Sequence, residues 1–92
     1  TEYYFLDRLL SAAVIEARGA ERFALIATAD SLADNVKTFY KTLARSEANH
    51  HQLFIRLAYD YFSTTSVDDR LAEWLDIEAA SLAAVAIAPR LH

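Results

Sequence analysis

Four ionisable residues fall on helix faces that are otherwise apolar, and their types and spacing could carry chemistry. Glu47 and His50 lie three residues apart, so both side chains project to the same side of a helix, one turn apart. Glu16 and Glu78 lie on the apolar faces of two other predicted helices. Carboxylates and an imidazole in this pattern predict either a metal site or a buried hydrogen-bonded pair.

The cost of burying charge favours a metal ion. An ionised carboxylate without a partner costs several kcal/mol or more inside a protein. The inner faces of these helices carry no Lys or Arg that would neutralise the acids. Carboxylate oxygens with one imidazole nitrogen suit iron, manganese or zinc. The E-x-x-H spacing of Glu47 and His50 is also the helical unit of di-iron carboxylate bundles.

The positions of Glu16 and Glu47 support a shared site. Residues at equal distances from the turn of an antiparallel helical hairpin face each other. The midpoint between these two glutamates falls at Ser31–Leu32, inside a break between two helical patterns. We therefore predict that Glu16, Glu47 and His50 meet at one level of the bundle as metal ligands, whereas no catalytic residue can be assigned.

Three further residues near this level remain open as ligands. Glu21 lies at the edge of the apolar arc, where an ion pair with Arg18 explains it better. Glu78 could be a further metal ligand, could orient another ligand through a hydrogen bond, or could extend its carboxylate into solvent. His51 is expected at the edge of the core face, where it would support the site rather than bind the ion.

Periodicity predicts three helices, hence an all-α fold. The first runs over about residues 4–27, the second ends near residue 62 and the third ends near residue 88, before Pro89. Short connections imply antiparallel neighbours. The first helix is apolar around most of its girth, so it needs partners on several sides. Gly19 disfavours this helix by about 1 kcal/mol relative to Ala, which indicates the close approach of a neighbour.

Local signals predict where these helices begin and which strip faces water. Ser31 with Asp34 and Ser66 with Asp69 have the spacing of capping boxes. The polar strip of the first helix is expected to face solvent and carries Asp7, Ser11, Arg18 and Arg22.

Composition limits the class of protein. Ninety-two residues predict a single helical domain over 1–92, and the absence of Cys excludes disulfides, cysteine zinc sites and iron–sulfur clusters. The net charge of −4 gives no general attraction to nucleic acid. No segment is long and apolar enough to span a bilayer, so a cytoplasmic protein is expected. The chain starts at Thr1 and has no Met, which favours a processed form or a fragment.

Two segments resemble the MiaE family of ferritin-like tRNA hydroxylases. Residues 15–24 read I-E-A-R-G-A-E-R-F-A and residues 39–50 read F-Y-K-T-L-A-R-S-E-A-N-H. The family carries I-E-A-R-S-C-E-R-F-A followed by F-Y-x-x-L-x-x-S-E-A-R-H. The third helix is similar to the closing helix of the family, so the likeness to its C-terminal half covers nearly the whole chain. Departures are Gly19-Ala20 in place of Ser-Cys and Asn49 in place of Arg.

The resemblance implies a ferritin-like fold and a non-haem di-iron monooxygenase. The family uses O₂ to hydroxylate the isopentenyl group of methylthio-isopentenyladenosine in tRNA. Glu16 would be the single-helix iron ligand, and Glu47 with His50 the E-x-x-H pair. These ligands form half of a four-helix site, so either a missing N-terminal half or a second copy in a homodimer is expected to complete it. The alternatives are a metal-free helical interaction domain and a ferritin-like iron protein with another substrate.

Overall fold

Three helices account for the fold, as the periodicity predicts. The computed structural model describes residues 2–87, with side chains for residues 3–84. Within that range α1 spans Glu2–Ile26, α2 spans Asp34–Tyr61 and α3 spans Thr64–Ile87, without any strand. The all-α class is confirmed, and the arrangement is consistent with a ferritin-like bundle. The predicted stop at Pro89 lies outside the described residues.

Both predicted capping boxes are wrong. Helix α2 begins at Asp34 with Ala33 as its N-cap, and no side chain caps it. Helix α3 begins earlier than expected because the Oγ of Ser63 accepts a hydrogen bond from the backbone N–H of Ser66 at 3.2 Å. A serine three residues upstream therefore does the capping that the S-x-x-D pattern assigned to Ser66.

Helices α1 and α2 form an antiparallel hairpin. Near the connecting loop, the rings of Phe23 and Tyr40 lie 5.9 Å apart. At the open end, Phe5 meets Tyr61 with ring centroids 5.9 Å apart. Phe23 and Tyr40 lie equally far along the chain from Ser31–Leu32, which is the register that the sequence predicts, and Phe5 and Tyr61 depart from it by about one helical turn.

Helix α3 packs against part of the polar strip of α1. The prediction that this strip faces solvent is therefore wrong for Asp7 and Arg18, whereas Arg22 is exposed. Asp7 accepts hydrogen bonds from Nε of Arg70 at 2.7 Å and from Nη2 at 2.9 Å. Trp74 donates a third through its indole N–H at 3.2 Å. The hydrogen bonds from Arg70 hold the pKa of Asp7 below its ordinary value. A prediction from polarity alone could not find this contact, because Arg70 and Trp74 lie more than 60 residues from Asp7 in the sequence.

The core is small and lies at the end of the bundle where α3 begins. Its main cluster of buried side chains contains Leu6, Leu9, Leu10, Ala58 and Val67. The radius of gyration is 16.1 Å, whereas a compact domain of this length has about 12 Å.

Much apolar surface therefore remains open. Ile15 and Leu25 of α1 are 69% and 72% exposed, and Phe39 of α2 is 57% exposed. None of the helices, within the part of the chain described, is long and apolar enough to cross a membrane. The wide apolar surface of α1 is thus only partly covered by α2 and α3.

Candidate metal centre

The hairpin brings Glu16, Glu47 and His50 together. Each offers one ligand atom, and these atoms lie within 4.8 Å of one another. Glu16 comes from the middle of α1, and the other two come from successive turns of α2. The antiparallel register explains the convergence, because the midpoint between the two glutamates, at Ser31–Leu32, falls within the loop over residues 27–33.

The Glu16 carboxylate is buried without the hydrogen bonds that usually accompany burial. The Glu16 side chain is 23% exposed, and its Oε2 is buried without a hydrogen-bond partner among the residues whose side chains are described. The ring Nδ1 of His50 lies 3.9 Å from that oxygen, too far for a hydrogen bond. No hydrogen bond joins Glu47 to His50 in the described part of the chain, so the hydrogen-bonded pair considered from the sequence is not seen.

This arrangement fits a divalent cation. Two ligands at about 2.1 Å from one ion lie at most about 4.2 Å apart, so separations up to 4.8 Å need only small side-chain movements. A cation would satisfy the buried oxygen of Glu16 and offset the charges of both acids. Oxygen and imidazole donors without sulfur suit iron, manganese or zinc.

The three residues that remained open from the sequence lie outside this ligand group. Glu21 pairs with Nη1 of Arg18 at 2.5 Å, as predicted. Glu78 lies 2.9 Å from Nε of the same arginine. His51 donates from Nδ1 to the backbone carbonyl of Ala13 at 2.8 Å, which fixes the tautomer and ties α2 to α1.

Arg18 is a residue whose role the sequence reasoning missed. Its position on the polar strip predicts exposure to solvent, yet its side chain bridges Glu21 on its own helix and Glu78 on α3. The prediction that no Lys or Arg neutralises the inner acids is therefore wrong for Glu78. No signal within α1 alone could reveal this pairing, because the partner is 60 residues further along the chain.

A groove of about 590 Å³ lies between α1 and α3 beside the ligands. Glu16 and Glu47 form part of its wall, whereas His50 does not. Phe23, Trp74 and Ile77 supply apolar surface. The two candidate glutamate ligands are thus reached from a largely apolar groove, whereas the half-exposed His50 lies outside it.

The sequence of this chain is similar to sequences of known proteins. A sequence model of the family described as tRNA-(MS[2]IO[6]A)-hydroxylase (MiaE) matches residues 2–92. A Salmonella typhimurium protein named tRNA 2-(methylsulfanyl)-N(6)-isopentenyladenosine(37) hydroxylase is 40% identical over 74 residues, which is 80% of this chain and 26% of the relative. A Pseudomonas putida protein of the same name is 43% identical over 56 residues, covering 61% of this chain and 26% of the relative.

The matches therefore cover about a quarter of the length of these curated relatives. No solved structure matches the chain.

Proposed function

Because this chain belongs to the MiaE family of tRNA hydroxylases, we propose that it supplies half of the ligands of a non-haem di-iron centre. That centre would hydroxylate the isopentenyl group of methylthio-isopentenyladenosine in tRNA, and the relatives are named as hydroxylases of this tRNA nucleoside. The convergence of Glu16, Glu47 and His50 is the observation that carries the proposal. A tRNA substrate implies a cytoplasmic location.

Each ligand has a defined part in binding. Glu16 and Glu47 contribute carboxylate oxygens, and His50 contributes a ring nitrogen. Bound iron would supply the activation of O₂ and the transfer of one oxygen atom to a C–H bond. The apolar surface of the groove would keep bulk water away from the reacting group.

A second set of ligands must come from outside these three helices. Di-iron bundles of this type use four glutamates and two histidines, and one E-x-x-H helix with one Glu helix gives half of that set. Two sources fit: a further segment of a longer chain, or a second copy related by a two-fold axis. The exposed apolar residues Ile15, Leu25 and Phe39 offer surface for either partner.

The charge of this chain bears on how tRNA would be held. With a net charge of −4, these 92 residues offer little general attraction to phosphate. We therefore assign the chain to the metal centre and to the surroundings of the prenyl group. Most contacts with the tRNA backbone would come from the completing part.

A chimera tests the activity directly. The matching 74-residue segment of the Salmonella typhimurium hydroxylase is replaced by the corresponding residues of this chain. The chimera, loaded with Fe(II) and given O₂ and a reductant, should hydroxylate tRNA that carries the modified adenosine. Glu47→Ala should abolish that activity, and Glu21→Ala should leave it within about twofold because Glu21 lies outside the ligand group.

The outcomes separate the proposed function from its alternatives. A folded chimera that is inactive with Fe(II) would contradict the proposed function. Activity on the free nucleoside but not on tRNA would favour an iron enzyme with another substrate. Failure of this chain to bind any metal would favour the helical interaction domain.

A further inference from the structure

Gly19 is the only glycine in the sequence, and it lies in the interior of α1. Glycine is disfavoured there relative to alanine because it loses more conformational freedom when the helix forms. No glycine in the described chain has a positive φ, so the backbone conformation does not require this residue. The reason for a glycine must therefore lie in what surrounds its Cα.

The space beside Gly19 is filled by the side chain of Glu47. A Cβ built on Gly19 would lie 3.1 Å from the Oε2 of Glu47, which is tighter than ordinary van der Waals contact. The next nearest atoms are Cδ and Cγ of the same glutamate, at 3.6 and 3.7 Å. All three nearest neighbours thus belong to one of the proposed metal ligands.

We propose that Gly19 is a positioning residue that lets the Glu47 carboxylate lie against α1. Glu16 and Gly19 are three residues apart and share a face of the helix, so a carboxylate resting on Gly19 lies beside that of Glu16. A methyl group at position 19 would push the Glu47 oxygen away by a few tenths of an ångström, and so shift this carboxylate relative to that of Glu16. The inference rests on the proposed function, because the position matters for a metal shared by these glutamates.

A double-mutant cycle with Gly19→Ala and Glu47→Asp tests the inference. The four proteins are titrated anaerobically with Fe(II), and Co(II) serves as a spectroscopic second probe. Gly19→Ala should weaken Fe(II) binding about tenfold, the size expected when a residue that orients a metal ligand is changed. In the Glu47→Asp background the side chain is one methylene shorter, so adding Gly19→Ala should change the affinity less than about twofold.

Thermal unfolding of the metal-free proteins gives a second readout. Replacing a helix-interior glycine by alanine should raise Tm by about 4 °C or more in the Glu47→Asp background, where the contact is relieved. With Glu47 present, crowding between the added methyl group and the Glu47 carboxylate should remove most of that gain in Tm. Ala24→Ser, on an exposed part of α1, is the control and should leave Fe(II) affinity unchanged.

Each result has a distinct meaning. If wild type binds Fe(II) and Gly19→Ala binds equally well, the inference is overturned while the proposed function survives. If wild type binds no Fe(II), the proposed function fails, and the metal role of Gly19 fails with it. Equal Tm gains from Gly19→Ala in both backgrounds would show that Gly19 does not set the position of Glu47.

Discussion

Replacing Glu16 by Gln should have opposite effects on the metal-free and the metal-bound protein. The ligand oxygens of Glu16 and Glu47 lie within 4.8 Å of each other, and Oε2 of Glu16 has no hydrogen-bond partner within residues 3–84. Two like charges at 4.8 Å repel by about 3.5 kcal/mol at an effective dielectric constant near 20. Partial exposure and salt reduce this, so Glu16→Gln should raise the metal-free unfolding free energy by about 1–2 kcal/mol.

The same substitution should remove stabilisation by metal. For wild type, free Fe(II) at 100 times its dissociation constant should add about 2.7 kcal/mol to the free energy of unfolding. Glu16→Gln removes one of the two carboxylates from the three-residue ligand group. The gain in unfolding free energy on adding Fe(II) should therefore fall close to zero. Urea unfolding followed by circular dichroism, with and without anaerobic Fe(II), measures both effects.

Glu21→Gln is the matched control, because it removes a carboxylate from the same helix outside the ligand group. It should change the metal-free unfolding free energy by less than about 1 kcal/mol, since Glu21 and Arg18 form an ion pair on the surface. It should also keep the full response to Fe(II). The reasoning would be refuted if Glu16→Gln lowered metal-free stability by more than about 1 kcal/mol, or if it kept the wild-type response.

Two further predictions concern the attachment of α3. Asp7→Ala should destabilise the protein by about 1 kcal/mol at pH 7, because Arg70 loses its acceptor on α1. Since the folded-state pKa of Asp7 is lowered, its contribution is present above the unfolded pKa of about 3.9 and is lost as pH falls through the folded pKa. Urea unfolding at several pH values should therefore show the two proteins converging below about pH 4. Ser63→Ala should cost about 1 kcal/mol through loss of the cap, measured in the same way, whereas Ser63→Asp should retain most of the stability.

The sequence predicts the hairpin well because its determinants are local. The apolar period defines α1 and α2, and the polar break between them fixes which residues face each other. Glu16 and Glu47 can therefore be paired without coordinates, and the structure brings them together with His50. The assignment of these residues as metal ligands is still a prediction.

The placement of α3 could not be predicted because it depends on polar contacts between distant segments. Hydropathy assigns Asp7 and Arg18 to solvent, yet Asp7 binds Arg70 and Arg18 pairs with Glu78. A similar limit applies to capping. Ser63 and Ser66 are both plausible caps, and only the hydrogen bond identifies Ser63.

Measurement of bound iron after anaerobic loading tests the central claim most directly. We expect about one Fe(II) per chain, since each chain carries half of a two-metal ligand set. Separate substitutions of Glu16, Glu47 and His50 by Ala should each reduce that iron content severely while the far-ultraviolet circular dichroism stays helical. Wild-type protein without iron, or iron that persists in all three variants, would contradict the account.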